Sequence, residues 1–188
     1  MRLIVCPSRE AAALSAERRP SHVLGLGSPG AEPPRIGGGA ELRLVFHDIA
    51  EPRPGLVGPD EEAIAAMLAF GRSWDGGRPL LVHCQLGISR SPAAAFALAC
   101  QRRPAWPEAA IAARLRAASP CATPNPLVVA LADGLLARAG RMTAAAAAGL
   151  GRGADYAPYR SFDLSLEPWE AADGSLPVEP CPATAASL

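Results

Sequence analysis

No sign of charge predominates in this 188-residue chain, where Lys plus Arg and Asp plus Glu each number 18, for a formal net charge of zero. A balanced chain lacks the electrostatic footprint of a nucleic-acid binder or a membrane-surface protein. Long apolar runs are missing as well. The amino-terminal MRLIVCPSREAAALSAERR has four apolar residues before Pro7 and then charged, helix-like sequence. That is too short for the apolar region of a signal peptide or for the roughly 18–20 residues of a membrane span. The alanine-rich stretches further on are interrupted by Arg, Asp or Gly. The expectation is a cytoplasmic protein with no membrane insertion and no nucleic-acid partner.

Clustered cysteine is absent too. The five cysteines, at positions 6, 84, 100, 121 and 181, form no CxxC pair and no nearby Cys/His group, which argues against a zinc site. An odd count without an export signal argues against a disulfide scaffold. Cys6 fits a buried strand and Cys100 the apolar face of a helix, the usual setting of free cysteine. Ten helical residues from Arg90 to Cys100 cover about 15 Å, beyond the roughly 7 Å Cα separation a disulfide allows, so Cys100 is a poor redox partner for Cys84. Cys6 and Cys121 stay open in that respect.

What is present suits one domain, which at this length buries roughly 70% of the surface its unfolded chain exposes. LIVC at 3–6 reads as a strand, 8–17 as a helix with Ser8 as its N-cap, and HVLGLG at 22–27 as a second strand. SPGAEPPRIGGG at 28–39, with three prolines and four glycines, reads as a loop. LRLVF at 42–46 is rich in β-formers and leads into His47-Asp48-Ile49-Ala50. A helix starts near Asp60, preceded by Pro59, with Asp60, Glu61 and Glu62 in its first turn, an apolar stripe of Ile64, Met67, Leu68 and Phe70, and Trp74 near its end. PLLVHC at 79–84 is nearly continuously apolar, as in a strand covered on both faces. SPAAAFALACQRR and WPEAAIAARLRAAS follow as helices, and NPLVVALADGLLARAGRM can start another at Asn125-Pro126. The pattern predicts an α/β fold with a small central mixed sheet flanked by helices. After Gly151 it fades. Asp163 to Leu188 holds five acidic residues, four prolines and no Lys or Arg, and reads as a loosely held tail whose first part Phe162, Leu164, Leu166 and Trp169 could anchor. The expected division is a single catalytic domain over 1–162 and a tail over 163–188.

The most specific feature is HCQLGISRS at 83–91. Cys84 and Arg90 enclose five residues, Gln85, Leu86, Gly87, Ile88 and Ser89, a length that can curl around a tetrahedral oxyanion with its amides turned inward. Gly87 permits the tight approach. Arg90 can grip two oxygens at once, which the point charge of a lysine does not match. The order strand, loop, helix sets unpaired N–H groups before an anion. Inward amides and a guanidinium favour thiolate over thiol, the nucleophilic form of cysteine. Ser91 could donate a hydrogen bond to the Cys84 sulfur, or it could merely cap the helix before Pro92. His83 takes a supporting place, since its side chain alternates away from that of Cys84 along a strand.

This segment resembles the signature of the cysteine-dependent protein tyrosine phosphatases, above all the dual-specificity branch, whose pattern is His-Cys, five residues, then Arg followed by Ser or Thr. The chain looks most like small bacterial members annotated to that superfamily, over about residues 20–153. The resemblance implies a protein tyrosine phosphatase-like fold and hydrolysis of phosphomonoesters through a cysteinyl-phosphate intermediate, with no cofactor and no metal. It makes Cys84 the nucleophile, Gln85 to Arg90 the phosphate cradle, and Ser91 the hydroxyl that helps the sulfur leave. It also requires an aspartic acid on a loop some thirty to forty residues ahead of the cysteine. Asp48, 36 residues ahead, meets that spacing, and Asp60 competes for the role although it has a ready explanation at a helix start. Gln85, Leu86, Ile88 and Ser89 add no positive charge for a polyphosphorylated head group, so the expected partner is a phosphorylated protein or peptide, or a small phosphomonoester. The competing reading is a phosphate- or phosphopeptide-binding module with weak turnover. Thiol chemistry on an arsenate-like or sulfur-transfer substrate fits the serine and the acid less well.

Overall fold

The apolar run around PLLVHC becomes a strand buried at every position, and the rest of the molecule is arranged about it. In the computed structural model, which describes residues 1–151 and 160–168, the chain runs β1 (Arg2–Pro7), α1 (Ser8–Arg18), β2 (His22–Gly27), β3 (Ala40–Val45), α2 (Glu61–Ser73), β4 (Leu80–Cys84), α3 (Arg90–Arg102), α4 (Glu108–Ala118), α5 (Pro126–Leu135), α6 (Arg141–Gly149) and β5 (Phe162–Ser165). The strands form one sheet in the order β3-β2-β4-β1-β5. β4 pairs in parallel with β1 and β2, β2 in parallel with β3, and β5 closes the far edge antiparallel to β1. This is the expected mixed sheet, with the Cys84 strand at its centre.

Side chains alternate across the pleat, so each inner strand serves two packing layers. Leu3, Val5, Leu24, Leu26, Leu80, Val82 and Cys84 face the larger core, which Phe46, Trp74, Phe96 and the apolar sides of α2 to α6 complete. Ile4, Cys6, Val23 and Leu81 face the other way, toward Ala11 of α1 and Ile36. Full burial of each large aliphatic or aromatic side chain is worth roughly 1.5–3 kcal/mol. Every residue of α3 from Arg90 to Cys100 is buried. Its alanines are small enough to let neighbouring helices and the sheet close on all sides.

The structure differs from the sequence reading at several local points. Pro7, not Ser8, stands at the N-cap of α1, and no side chain caps that helix. The Ser8 hydroxyl lies 3.0 Å from His83 Nδ1 on β4 instead, a tertiary partner no local pattern announces. The stretch after Asn125 divides into two helices, with positive φ at Ala137, Ala139 and Gly140 making the turn between them. The Asp133 carboxylate accepts the N–H groups of Gly140, Met142 and Thr143, satisfying the start of α6 from the preceding helix.

The division expected at 162/163 falls within β5. Phe162–Ser165 pairs with β1, and Leu164 and Leu166 are buried. Asp163 meets Arg18 at 2.5 Å and Arg2 at 3.4 Å, while Arg103 and Arg114 donate to the carbonyls of Leu166, Ser165 and Glu167. Trp169, Cys181 and the rest of 169–188 lie outside the described residues. No helix among the described residues is long and apolar enough to cross a membrane.

Candidate active site

Cys84 ends β4, Arg90 begins α3, and the five residues between them form the connecting loop. Gly87, at φ +77, is the pivot. A Cβ there would meet the Pro7 nitrogen at 2.8 Å and the Cys6 carbonyl carbon at 2.9 Å, so both the backbone conformation and the close approach to β1 require glycine. The Gly87 N–H points at the Cys84 sulfur, 3.3 Å away. Gln85 and Leu86 are exposed and Ile88 and Ser89 half-buried. The Ile88 and Ser89 carbonyls accept the N–H groups of Thr123 (2.7 Å) and Asn125 (3.3 Å), so they are tied to the 123–125 segment and do not face the loop interior.

Cys84 Sγ is 2% exposed and 3.1 Å from the Ser91 hydroxyl, which is itself completely buried. Ser91 is the second residue of α3, and the N-cap position belongs to Ser89. The sequence reading that set Ser91 beside the sulfur and the reading that made it a cap thus separate geometrically. His83 alternates to the opposite face, as its strand position requires. It contacts Ser8 there, and burial pushes its imidazole down to about 4 against the opposing pull of Glu41. Nothing places it within reach of the sulfur.

Arg90 is 3% exposed and held by one nitrogen. Nη1 donates to the Ser28 hydroxyl and to the Phe46 carbonyl, each at 2.9 Å. Nε is buried without a hydrogen-bond partner. A buried donor left unpaired costs roughly 1–3 kcal/mol, which an oxyanion between the sulfur and the guanidinium would relieve. Asp48 Oδ2 lies 3.8 Å from Nε, within ion-pair range but too far for a hydrogen bond.

Asp48 lies on the loop after β3, against the 84–90 loop. Its Oδ1 accepts from the Ser89 hydroxyl and from Asn125 Nδ2, both at 2.7 Å. His47 closes the base of this acid loop: its N–H donates to the Val57 carbonyl at 2.6 Å, and its Nδ1 accepts the Val57 N–H at 3.0 Å. Asp60 is engaged elsewhere, accepting the Ala63 N–H at 2.8 Å as the N-cap of α2. The fold thus brings Cys84, Arg90, Ser91 and Asp48 together and leaves Asp60 as a helix cap. Ser28 and Asn125 were not singled out as site residues from sequence. Ser28 sits in a stretch that reads only as loop, and Asn125 carries only a helix-start signal.

Cys6 and Cys100 are also buried thiols. Burial pushes Cys6 up to about 12, aided by Glu10 and by Cys84, and pushes Cys100 up to about 12 as well. Cys6 pairs in register with His83 and points into the opposite layer from Cys84, so the sheet itself separates the two sulfurs. Among the described residues no three His, Cys, Asp or Glu side chains group so as to hold a metal ion.

The small mixed sheet flanked by helices is a protein tyrosine phosphatase-like fold. Human DUSP28 is similar at a TM-score of 0.52 and 24% identity, over 73% of this chain and 89% of that one. A point variant of human DUSP28 gives 0.56 at 23%, over 72% and 92%. A mouse protein described as a dual specificity phosphatase, complexed with zinc tungstate, gives 0.50 at 24%, over 76% and 86%. At these identities the likeness is one of fold. No protein-family model and no curated protein matches the sequence.

Proposed function

We propose that this protein is a phosphomonoester hydrolase acting through a cysteinyl-phosphate intermediate, with a phosphorylated protein or peptide as the favoured substrate and the 84–90 loop as its phosphate site. The observation that carries the reading is Arg90 Nε, a buried cationic donor without a hydrogen-bond partner, set in the same loop as the Cys84 sulfur and beside Asp48. Placement among the small bacterial members of the superfamily is part of the same proposal and rests on the sequence resemblance over about residues 20–153.

In the first step the Cys84 thiolate attacks phosphorus and an S–P bond forms. The P–O bond to the leaving group breaks, its electron pair passes to the leaving oxygen, and Asp48 supplies the proton. Loop amides and the free edge of the guanidinium balance charge on the other three oxygens. In the second step water attacks phosphorus, Asp48 takes up its proton, and the S–P electrons return to sulfur as Ser91 donates to it. Each step is complete with the side chains present.

The test is hydrolysis of a phosphopeptide panel and an aryl phosphate by wild type beside Cys84→Ser. The expected result is loss of turnover in the variant with retained binding of phosphate or vanadate. Retained turnover at the wild-type rate removes the mechanism. Binding without turnover in the wild type favours the phosphate-binding module instead.

A further inference from the structure

We propose that Asn125 is a positioning residue that determines which oxygen of Asp48 carries the proton delivered to the leaving group; the inference rests on the hydrolase reading above. Asn125 is 2% exposed and fully engaged. Its Oδ1 accepts the Val128 N–H at 3.0 Å as the N-cap of α5. That bond fixes the orientation of the amide, so Nδ2 faces the acid loop and donates to Asp48 Oδ1 at 2.7 Å and to the Ile49 carbonyl at 3.0 Å. The Asn125 backbone N–H reaches the Ser89 carbonyl at 3.3 Å. One side chain and its own peptide group thus join a helix, the acid loop and the phosphate loop.

The consequence is chemical. Two donors, Asn125 Nδ2 and Ser89 Oγ, converge on Oδ1. A proton on Oδ1 would face two hydrogen atoms already aimed at it. Among the described residues no hydrogen bond reaches Oδ2, the oxygen turned toward Arg90 Nε, where a bound oxyanion would lie. Protonation of Asp48 therefore falls on Oδ2, the oxygen that can reach the leaving group. Without the amide donor the carboxyl torsion, which is broad and roughly twofold, loses half of what fixes it. Ser89 alone does not hold the loop, because Ile49 is released at the same time.

A residue acting through the acid is distinguished from one that merely braces the fold by how its loss depends on the leaving group. A strongly activated nitrophenyl phosphate departs with little need of a proton, whereas phenyl phosphate needs one. Asn125→Ser keeps a hydroxyl acceptor for the Val128 N–H and removes the amide donor. Asn125→Asp keeps the cap and sets an acceptor against Asp48. Both are expected to lower kcat/KM, which reports the leaving-group step and not the breakdown of the shared cysteinyl phosphate, by at least roughly tenfold more on phenyl phosphate than on the activated ester. Inhibition by inorganic phosphate should stay close to wild type, and adding Asn125→Ser to Asp48→Asn should cost little more than Asp48→Asn alone. Equal losses on both esters, or full additivity with Asp48→Asn, overturn the proposal. If Asn125→Ser melts below the assay temperature, Asn125→Asp decides by the same two esters. Should the wild type hydrolyse neither ester, or Cys84→Ser hydrolyse both, the hydrolase reading itself fails. Turnover that needs Cys84 but loses equally on both esters removes only the role of Asn125.

Discussion

The two faces of β4 give neighbouring residues opposite chemistry. Cys84 looks into the loop and His83 into the α1 layer, where burial keeps the imidazole down at about 4 from its ordinary 6.5. Between those values the unfolded chain binds the proton that the folded protein excludes. The stability due to a neutral His83 is therefore complete above about pH 6.5 and is lost as pH falls from there toward 4. The slope is at most about 1.4 kcal/mol per pH unit. Urea unfolding at pH 7 and pH 5.5 measures it, and His83→Gln is expected to flatten the difference. An unchanged difference in the variant would assign the acid sensitivity to other groups.

At the scale of elements, two aspartates that look alike in sequence are separated by what each one joins. Asp60 closes the first turn of α2, a local contact three residues long, and its replacement by Ala should cost about 1 kcal/mol of stability with turnover kept. Asp48 joins a loop after β3 to the loop after β4. Asp48→Asn should lower turnover of phenyl phosphate by roughly 10²–10⁴-fold at neutral pH while shifting the melting midpoint little. Steady-state kinetics and thermal melts on both variants settle the assignment, and the reverse pattern would make Asp60 the acid. The same scale explains why α3 is mostly alanine and small residues in its buried part. Five alanines with Ser91, Pro92 and Cys100 let neighbours close around the helix, while Phe96 and Leu98 are its large side chains in the core.

Over the whole molecule, a sheet of four parallel strands is completed by a β5 that the composition assigned to a tail. Leu164 and Leu166 fill the last gap in the larger core. The chain contains no lysine, so all 18 of its basic residues are arginines, whose forked donors can hold several backbone carbonyls at once. Arg103 and Arg114 hold the end of β5 in this way, and Arg138 holds Cys100 and Pro104 of α3 and its exit. Leu164→Ala is expected to lower unfolding free energy by about 2–4 kcal/mol, measured by urea titration. A change below about 0.5 kcal/mol would mean that the core does not depend on the edge strand.

The sequence by itself determined what local spacing can encode: the strand, loop and helix around Cys84 and Arg90, the turn that needs Gly87, the start of α2 near Asp60, and the alternation that sets His83 apart from Cys84. These follow from hydrogen bonds and side-chain directions a few residues long. Only the tertiary structure decided that Asp48 and not Asp60 meets the 84–90 loop, that Ser28 and Asn125 tie Arg90 and Asp48 to the rest of the fold, and that β5 belongs to the sheet. Those contacts join residues 62 and 77 positions apart, or an edge strand to the first strand of the chain. No periodicity records them, because they arise from the packing of elements whose separate patterns are indifferent to one another.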